Sequence, residues 1–107
     1  MLLVTTPAVA APDGAQLFAQ NCAACHQASG QGIPGAFPAL AHNKFVVGTP
    51  AAVATTVLNG RRAMPAFRDV LTDEQLSATL GFVRRSWGNK APPISAATFA
   101  AARKAPR

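Results

Sequence analysis

The chain has no tyrosine, a single tryptophan, two cysteines and four acidic residues in 107 positions. Each scarcity narrows the field. So little aromatic and β-branched material gives a sheet almost nothing to pack, and no strand–helix–strand pattern appears anywhere. No internal apolar stretch approaches the roughly 20 residues that a bilayer-spanning helix needs, so no integral membrane segment is expected in the mature chain. The four carboxylates stand against ten Lys and Arg, a formal charge of +6. A basic balance suits nucleic acid, a membrane surface or an acidic protein patch. The basic residues are scattered from Lys44 to the Arg103, Lys104 and Arg107 tail, without interleaved aromatics or a nucleic-acid motif. Nucleic acid is therefore not expected as a partner. There is no internal repeat.

Alanine supplies much of what is present. It accounts for 24 residues of a chain that is 50% hydrophobic, leaving 27 large apolar side chains besides the cysteines. A chain this short forms one domain and buries only a modest share of its surface. A large apolar body at its centre would help, which points to a cofactor.

The first residues read MLLVTTPAVAAPDG. The apolar stretch from Leu2 to Val9 and the small-x-small triplet Ala8-Val9-Ala10 fit the remnant of a signal peptide over residues 1–10, cleaved after Ala10. A basic segment before the apolar run is missing. Export to the periplasm is the expectation.

Asp13 is placed to cap a helix through Gly14, Leu17, Phe18 and Asn21. Residues 29–43, SGQGIPGAFPALAHN, are too rich in Gly and Pro for regular structure and read as an ordered loop. Thr49-Pro50 starts a helix that Gly60 stops, giving residues 50–59. Thr72 and Gln75 form a capping-box pattern, and Leu76, Leu80, Val83 and Trp87 continue one helical face toward a stop at Gly88. Arg84 and Arg85 fall in the last turn, where cations suit the helix dipole. Residues 91–107 read as an Ala-rich basic tail, loosely attached, with a short helix from Ser95 to about Arg103. The fold class is all-α, three main helices separated by Gly/Pro loops.

Both cysteines lie in the pentapeptide CAACH, residues 22–26. A redox dithiol needs a βαβ context, which is absent. A structural zinc site usually takes two pairs of Cys or His; Cys22, Cys25, His26 and His42 count to four, but His42 belongs to no second pair. A Cys22–Cys25 disulfide would close a very tight loop to little effect. The pattern C-x-x-C-H is also that of covalent haem attachment, with both thiols bonded to the porphyrin and the adjacent histidine on the iron. In that reading His26 binds through Nε2 and its Nδ1–H needs an acceptor. Met64, in MPAF, is the only methionine besides the first residue. From periodicity alone it would be an ordinary core residue.

In this order, Cys22-Ala23-Ala24-Cys25-His26, then Pro38-Ala39-Leu40, then Met64-Pro65-Ala66-Phe67 and a capped final helix, the chain resembles a class I c-type cytochrome. The resemblance covers residues 12 to about 90 and makes residues 11–90 the cytochrome domain, wrapped around one covalent haem c. It implies that the Pro38 carbonyl accepts the His26 Nδ1–H, that His26 and Met64 are the axial iron ligands, and that Gly14 and Phe18 pack across the last helix near Leu80, Phe82 and Val83. Leu40 and Phe67, with Phe37, Val57 and Leu71, are then expected to line the haem pocket. Arg61 and Arg62 could pair with the propionates. The stretches GQGIPGAFPAL and RSWGNK are similar to the cytochrome subunits or domains of periplasmic alcohol and aldehyde dehydrogenases, where the position of His42 is more usually glycine. The implied activity is one-electron transfer rather than enzymatic catalysis. The expected partners are a dehydrogenase donor and an oxidase or cytochrome acceptor that offers an acidic patch. The alternative is a haem enzyme or gas-binding cytochrome in which a ligand displaces Met64.

Overall fold

A computed structural model describes residues 12–106; the expected leader over residues 1–10 lies outside them. Among the described residues five helices follow one another: α1 (Gly14–Asn21), α2 (Ala23–His26), α3 (Pro50–Asn59), α4 (Asp73–Arg85) and α5 (Ala96–Lys104). Among the described residues there is no strand, only the isolated bridges Ile33–Phe37 and Arg61–Met64. The all-α class holds: α1, α3 and α4 are the three main helices expected, α5 falls on the short helix expected from Ser95, and the single turn α2 is additional.

Local chemistry sets the boundaries. The Asp13 carboxylate accepts from the Ala15 and Gln16 N–H groups at 3.0 and 3.2 Å, satisfying donors that the first turn of α1 leaves open. The Thr72 hydroxyl accepts from the Gln75 N–H at 3.1 Å, and the Gln75 side chain accepts from the Thr72 N–H at 2.9 Å, completing the capping box of α4. Thr49 has the extended backbone of a cap but makes no side-chain cap bond; Pro50 at the first helical position already removes one open donor.

Gly14 lies where α1 crosses α4. A Cβ there would stand 2.0 Å from the Ala78 carbonyl oxygen and 3.1 Å from the Phe82 Cβ, so the two backbones meet with no room for a side chain. One turn on, Phe18 is 2% exposed and packs against Phe82 and Trp87 with ring centroids 5.6 and 5.1 Å away. Trp87 does not continue the α4 face as expected. The helix closes at Arg85, and Trp87 at φ 54° begins a left-handed turn that brings its indole back onto Phe18 and Phe82.

The C-terminal segment also differs from expectation. Instead of trailing loosely, α5 docks against α3 and α4. Phe99 is 0% exposed and Ile94 1%. The Ser77 hydroxyl donates to the Ile94 carbonyl at 2.6 Å, and Arg103 pairs with Asp73 at 2.5 Å. Phe99 thus anchors the Ala-rich helix together with these polar contacts.

Arg84 is a further departure. It is 2% exposed, not a solvated last-turn cation. Its guanidinium donates to the carbonyls of Val46, Gly48 and Pro92 at 2.8–3.0 Å, and burial lowers its pKa from the ordinary arginine value. One side chain thereby ties the loop before α3 and the linker before α5 to the end of α4.

Candidate functional site

Cys22 ends α1 and begins α2. The Cys25 and His26 N–H groups both bond back to the Cys22 carbonyl, at 3.2 and 2.9 Å. This single turn sets Cys22, Cys25 and His26 at positions i, i+3 and i+4, which share one helix face. All three side chains line the same cleft. Both thiols are free and half-buried. The Cys22 thiol is pushed up to about 11, by burial first and by Cys25 second, the opposite of the depressed thiol pKa on which dithiol redox centres depend.

His26 is 8% exposed. Its Nδ1 lies 3.0 Å from the Pro38 carbonyl oxygen. A carbonyl only accepts, so Nδ1 carries the proton and Nε2 keeps a free lone pair. The loop that supplies Pro38 is tightly folded. The Leu40 N–H bonds to the Gly30 carbonyl at 2.7 Å and the Gly32 N–H to the His26 carbonyl at 3.0 Å. Asn89 fixes the loop from α4's end, donating to the Leu40 and Val83 carbonyls at 2.9 and 3.0 Å.

Met64 comes from the loop between α3 and α4. Arg61 and Met64 exchange backbone hydrogen bonds of 2.9 and 3.1 Å, forming a tight turn directly after Gly60. Gly60 ends α3 at φ +76°, and a Cβ there would lie 2.6 Å from the Met64 carbonyl oxygen. Farther along, the Phe67 N–H bonds to the Val57 carbonyl at 3.0 Å, and the Phe67 ring is buried.

The cleft has a volume of about 760 Å³ and brings together Cys22, Cys25, His26, Pro38, Leu40, Met64 and Phe67. Phe37, Val57 and Leu71 complete much of its apolar wall, and the exposed Arg61 and Arg62 also border it. The size is that of a pocket for one small-molecule cofactor. His42 lies elsewhere. It is exposed, and its ring sits so close to Gly88 that a Cβ on that glycine would be 2.3 Å away. Among the described residues no three of His, Cys, Asp and Glu gather into a group able to hold a metal ion by themselves. The donor set of the cleft fits a haem c instead: two thiols and an imidazole on one turn, with the imidazole tautomer fixed to leave Nε2 free.

Sequence reasoning missed Arg84 and Asn89, which support the cleft from behind. For Arg84 a signal exists, since it follows Leu76 and Leu80 at steps of four on the buried face. Asn89 offers none, because its partners are set by the left-handed turn at Trp87 and Gly88.

Fold and cleft together define a c-type cytochrome domain, and the chain belongs to that family. Residues 9–83 match the family described as "Cytochrome C oxidase, cbb3-type, subunit III", and membership implies a covalent haem c. The chain is 35% identical over 91 residues to the cytochrome c subunit of the quinone alcohol dehydrogenase of Gluconobacter oxydans, covering 74% of this chain but only 19% of that subunit. The chain thus spans about a fifth of the length of this relative. It is 36% identical over 88 residues to cytochrome c6 of Thermosynechococcus vestitus, covering 78% of this chain and 79% of that protein. The crystal structure of cytochrome c6C from Synechococcus sp. PCC 7002 superposes with a TM-score of 0.59 at 28% identity, covering 72% of this chain and 98% of that one. These relatives are cytochromes, one of them the cytochrome c subunit of a dehydrogenase. No helix among the described residues is long and apolar enough to cross a membrane.

Proposed function

We propose that the chain is a periplasmic one-electron carrier that moves electrons between a dehydrogenase and an oxidase or another carrier. In this reading Cys22 and Cys25 are the thioether tethers of one haem c, and His26 Nε2 and the Met64 sulfur are the axial ligands. A bound haem supplies a single iron centre that cycles between two oxidation states. The chain holds the imidazole by the Pro38 carbonyl, presents Met64 on a tight turn, and excludes water with Leu40, Phe67 and their neighbours. A thioether ligand and an apolar wall both favour the reduced iron, so a raised potential is expected. With both axial positions taken, no open site remains for oxygen or substrate. Export places the protein in the periplasm, and docking is transient, through the basic surface near Arg61 and Arg62 onto an acidic patch of the partner. The supporting observation is the 3.0 Å contact from His26 Nδ1 to the Pro38 carbonyl in a cleft that also holds both cysteines and Met64.

The test is spectroscopic. Protein matured in a periplasm should give the alkaline pyridine haemochrome of two thioether bonds. Met64→Ala should lower the reduction potential and let the reduced protein bind carbon monoxide at neutral pH, while the parent should not. Carbon monoxide binding by the unaltered protein would instead support a gas-binding cytochrome. A low-spin spectrum retained by Met64→Ala without added ligand would show that Met64 is not the ligand.

A further inference from the structure

The loop that carries Met64 is gripped from outside the cleft. Arg103, near the end of α5, donates to the carbonyls of Arg68 and Leu71, the latter at 2.7 Å, and its Nε meets the Asp73 carboxylate at 2.5 Å. Arg68 returns the contact. One of its terminal nitrogens donates to the Arg103 carbonyl at 2.9 Å and the other to Asn59 Oδ1 at 2.7 Å. The Arg103 carbonyl belongs to the last turn of α5, where carbonyls lack intrahelical partners. Arg68 therefore caps α5 while Arg103 holds the loop. These are charge-assisted bonds, stronger than neutral ones, and both residues are half-buried. The grip brackets the Met64 turn, because Asn59 directly precedes Gly60 and Arg68 directly follows Phe67. It also engages a helix beyond residue 83, where the family match ends.

We propose that α5 is a clasp on the Met64 loop, in which the reciprocal Arg68–Arg103 pair positions the Met64 sulfur and sets how readily an outside ligand takes its place. This rests on Met64 being an axial ligand. Neither arginine touches the haem; both act through the loop backbone. Loss of the guanidinium leaves the Arg68 and Leu71 carbonyls without their donor and frees the segment between Gly60 and Leu71 to open, while the α1–α4 crossing is untouched.

The experiment uses the haem-loaded ferric protein and imidazole as the incoming ligand, followed by the haem absorbance, with amide hydrogen exchange measured in parallel. Arg103→Ala should bind imidazole about ten- to a hundredfold faster, the scale of a lost charge-assisted hydrogen bond. The amides of Phe67, Arg68 and Leu71 should lose protection while those of α1 and α4 keep theirs. Arg103→Lys, which keeps the charge but cannot span Asp73 and two carbonyls, should recover only part of the effect. An unchanged imidazole rate in Arg103→Ala, or a uniform loss of protection across all helices, overturns the clasp. Met64→Ala separates the two levels. If it binds imidazole no faster than the parent, the ligand reading fails and the clasp with it; a fast Met64→Ala beside a slow Arg103→Ala overturns the clasp alone. Should Arg103→Ala fail to fold, Asp73→Asn and Arg68→Lys each remove part of the grip, and unchanged rates in both overturn it.

Discussion

Gly14→Ala gives the sharpest test of how this fold is held, because two effects predict opposite signs. In an isolated helix alanine is better than glycine by at most about 1 kcal/mol, so propensity alone predicts a gain. In the folded chain the new methyl would lie 2.0 Å from the Ala78 carbonyl oxygen and 3.1 Å from the Phe82 Cβ. The first of these atoms is backbone and cannot rotate away, so α1 must lift by about an ångström, since Cβ contacts under 3.0 Å are essentially never seen. Overpacking of this kind costs about 1–3 kcal/mol. The lift also loosens Phe18 from Phe82 and Trp87, contacts worth about 0.5–1.5 kcal/mol per aromatic pair. The expected net loss is about 2–3 kcal/mol, or a fall in Tm of roughly 10–20 °C in a domain of this size. Urea unfolding of the haem-loaded protein, followed by circular dichroism, measures it. A midpoint equal to or above that of the parent would refute the reasoning and show that α1 is not pinned at this crossing.

Other perturbations carry distinct signatures. Arg84→Ala strips the donors from the Val46, Gly48 and Pro92 carbonyls and should cost at least about 3 kcal/mol in urea unfolding, given about 1–3 kcal/mol for each buried group left unpaired; Arg84→Lys should recover only a fraction. Gly88→Ala combines a φ of +87° with a clash against the His42 ring. It should destabilise by about 1–2 kcal/mol, and a His42→Ala background should relieve the clash but leave the backbone strain. His42→Ala alone should leave the low-spin absorption spectrum and the reduction potential unchanged, since His42 lies outside the cleft. Electron-transfer rates to the physiological partner, measured by stopped flow, should fall as salt rises; a flat profile would refute steering by the +6 charge.

Much of this arrangement was legible because its signals are local. Asp13, the Pro50 and Gly60 pair, and the Thr72–Gln75 box each act within four residues, and each marks a helix boundary that the fold keeps. CAACH could be named because its spacing is that of a haem attachment site, Pro38 and Met64 only because their order after it resembles a class I c-type cytochrome, and all of them line one cleft. What escaped depends on distance. The turn α2 is too short to show a period, and it shares Cys22 with α1. The docking of α5 rests on Arg68, Asp73 and Arg103, whose partners lie some 30 residues away, so its composition suggested a loose tail. Arg84 looked like a surface cation because charge is a good guide to exposure only until backbone carbonyls supply a buried alternative.

The sharing of Cys22 by two helices divides the site into unequal halves. Cys22, Cys25 and His26 are neighbours on one turn, so one half needs no long-range folding to bring its groups together. Pro38 and Met64 arrive from separate loops, the second from the turn that follows α3. Closing such a span has an entropic cost that grows slowly with length, whereas the local half has almost none. If the cleft holds its haem as proposed, a partly unfolded chain keeps both tethers and the imidazole close together while Met64 drifts, so damage anywhere in the domain should register first on the methionine side.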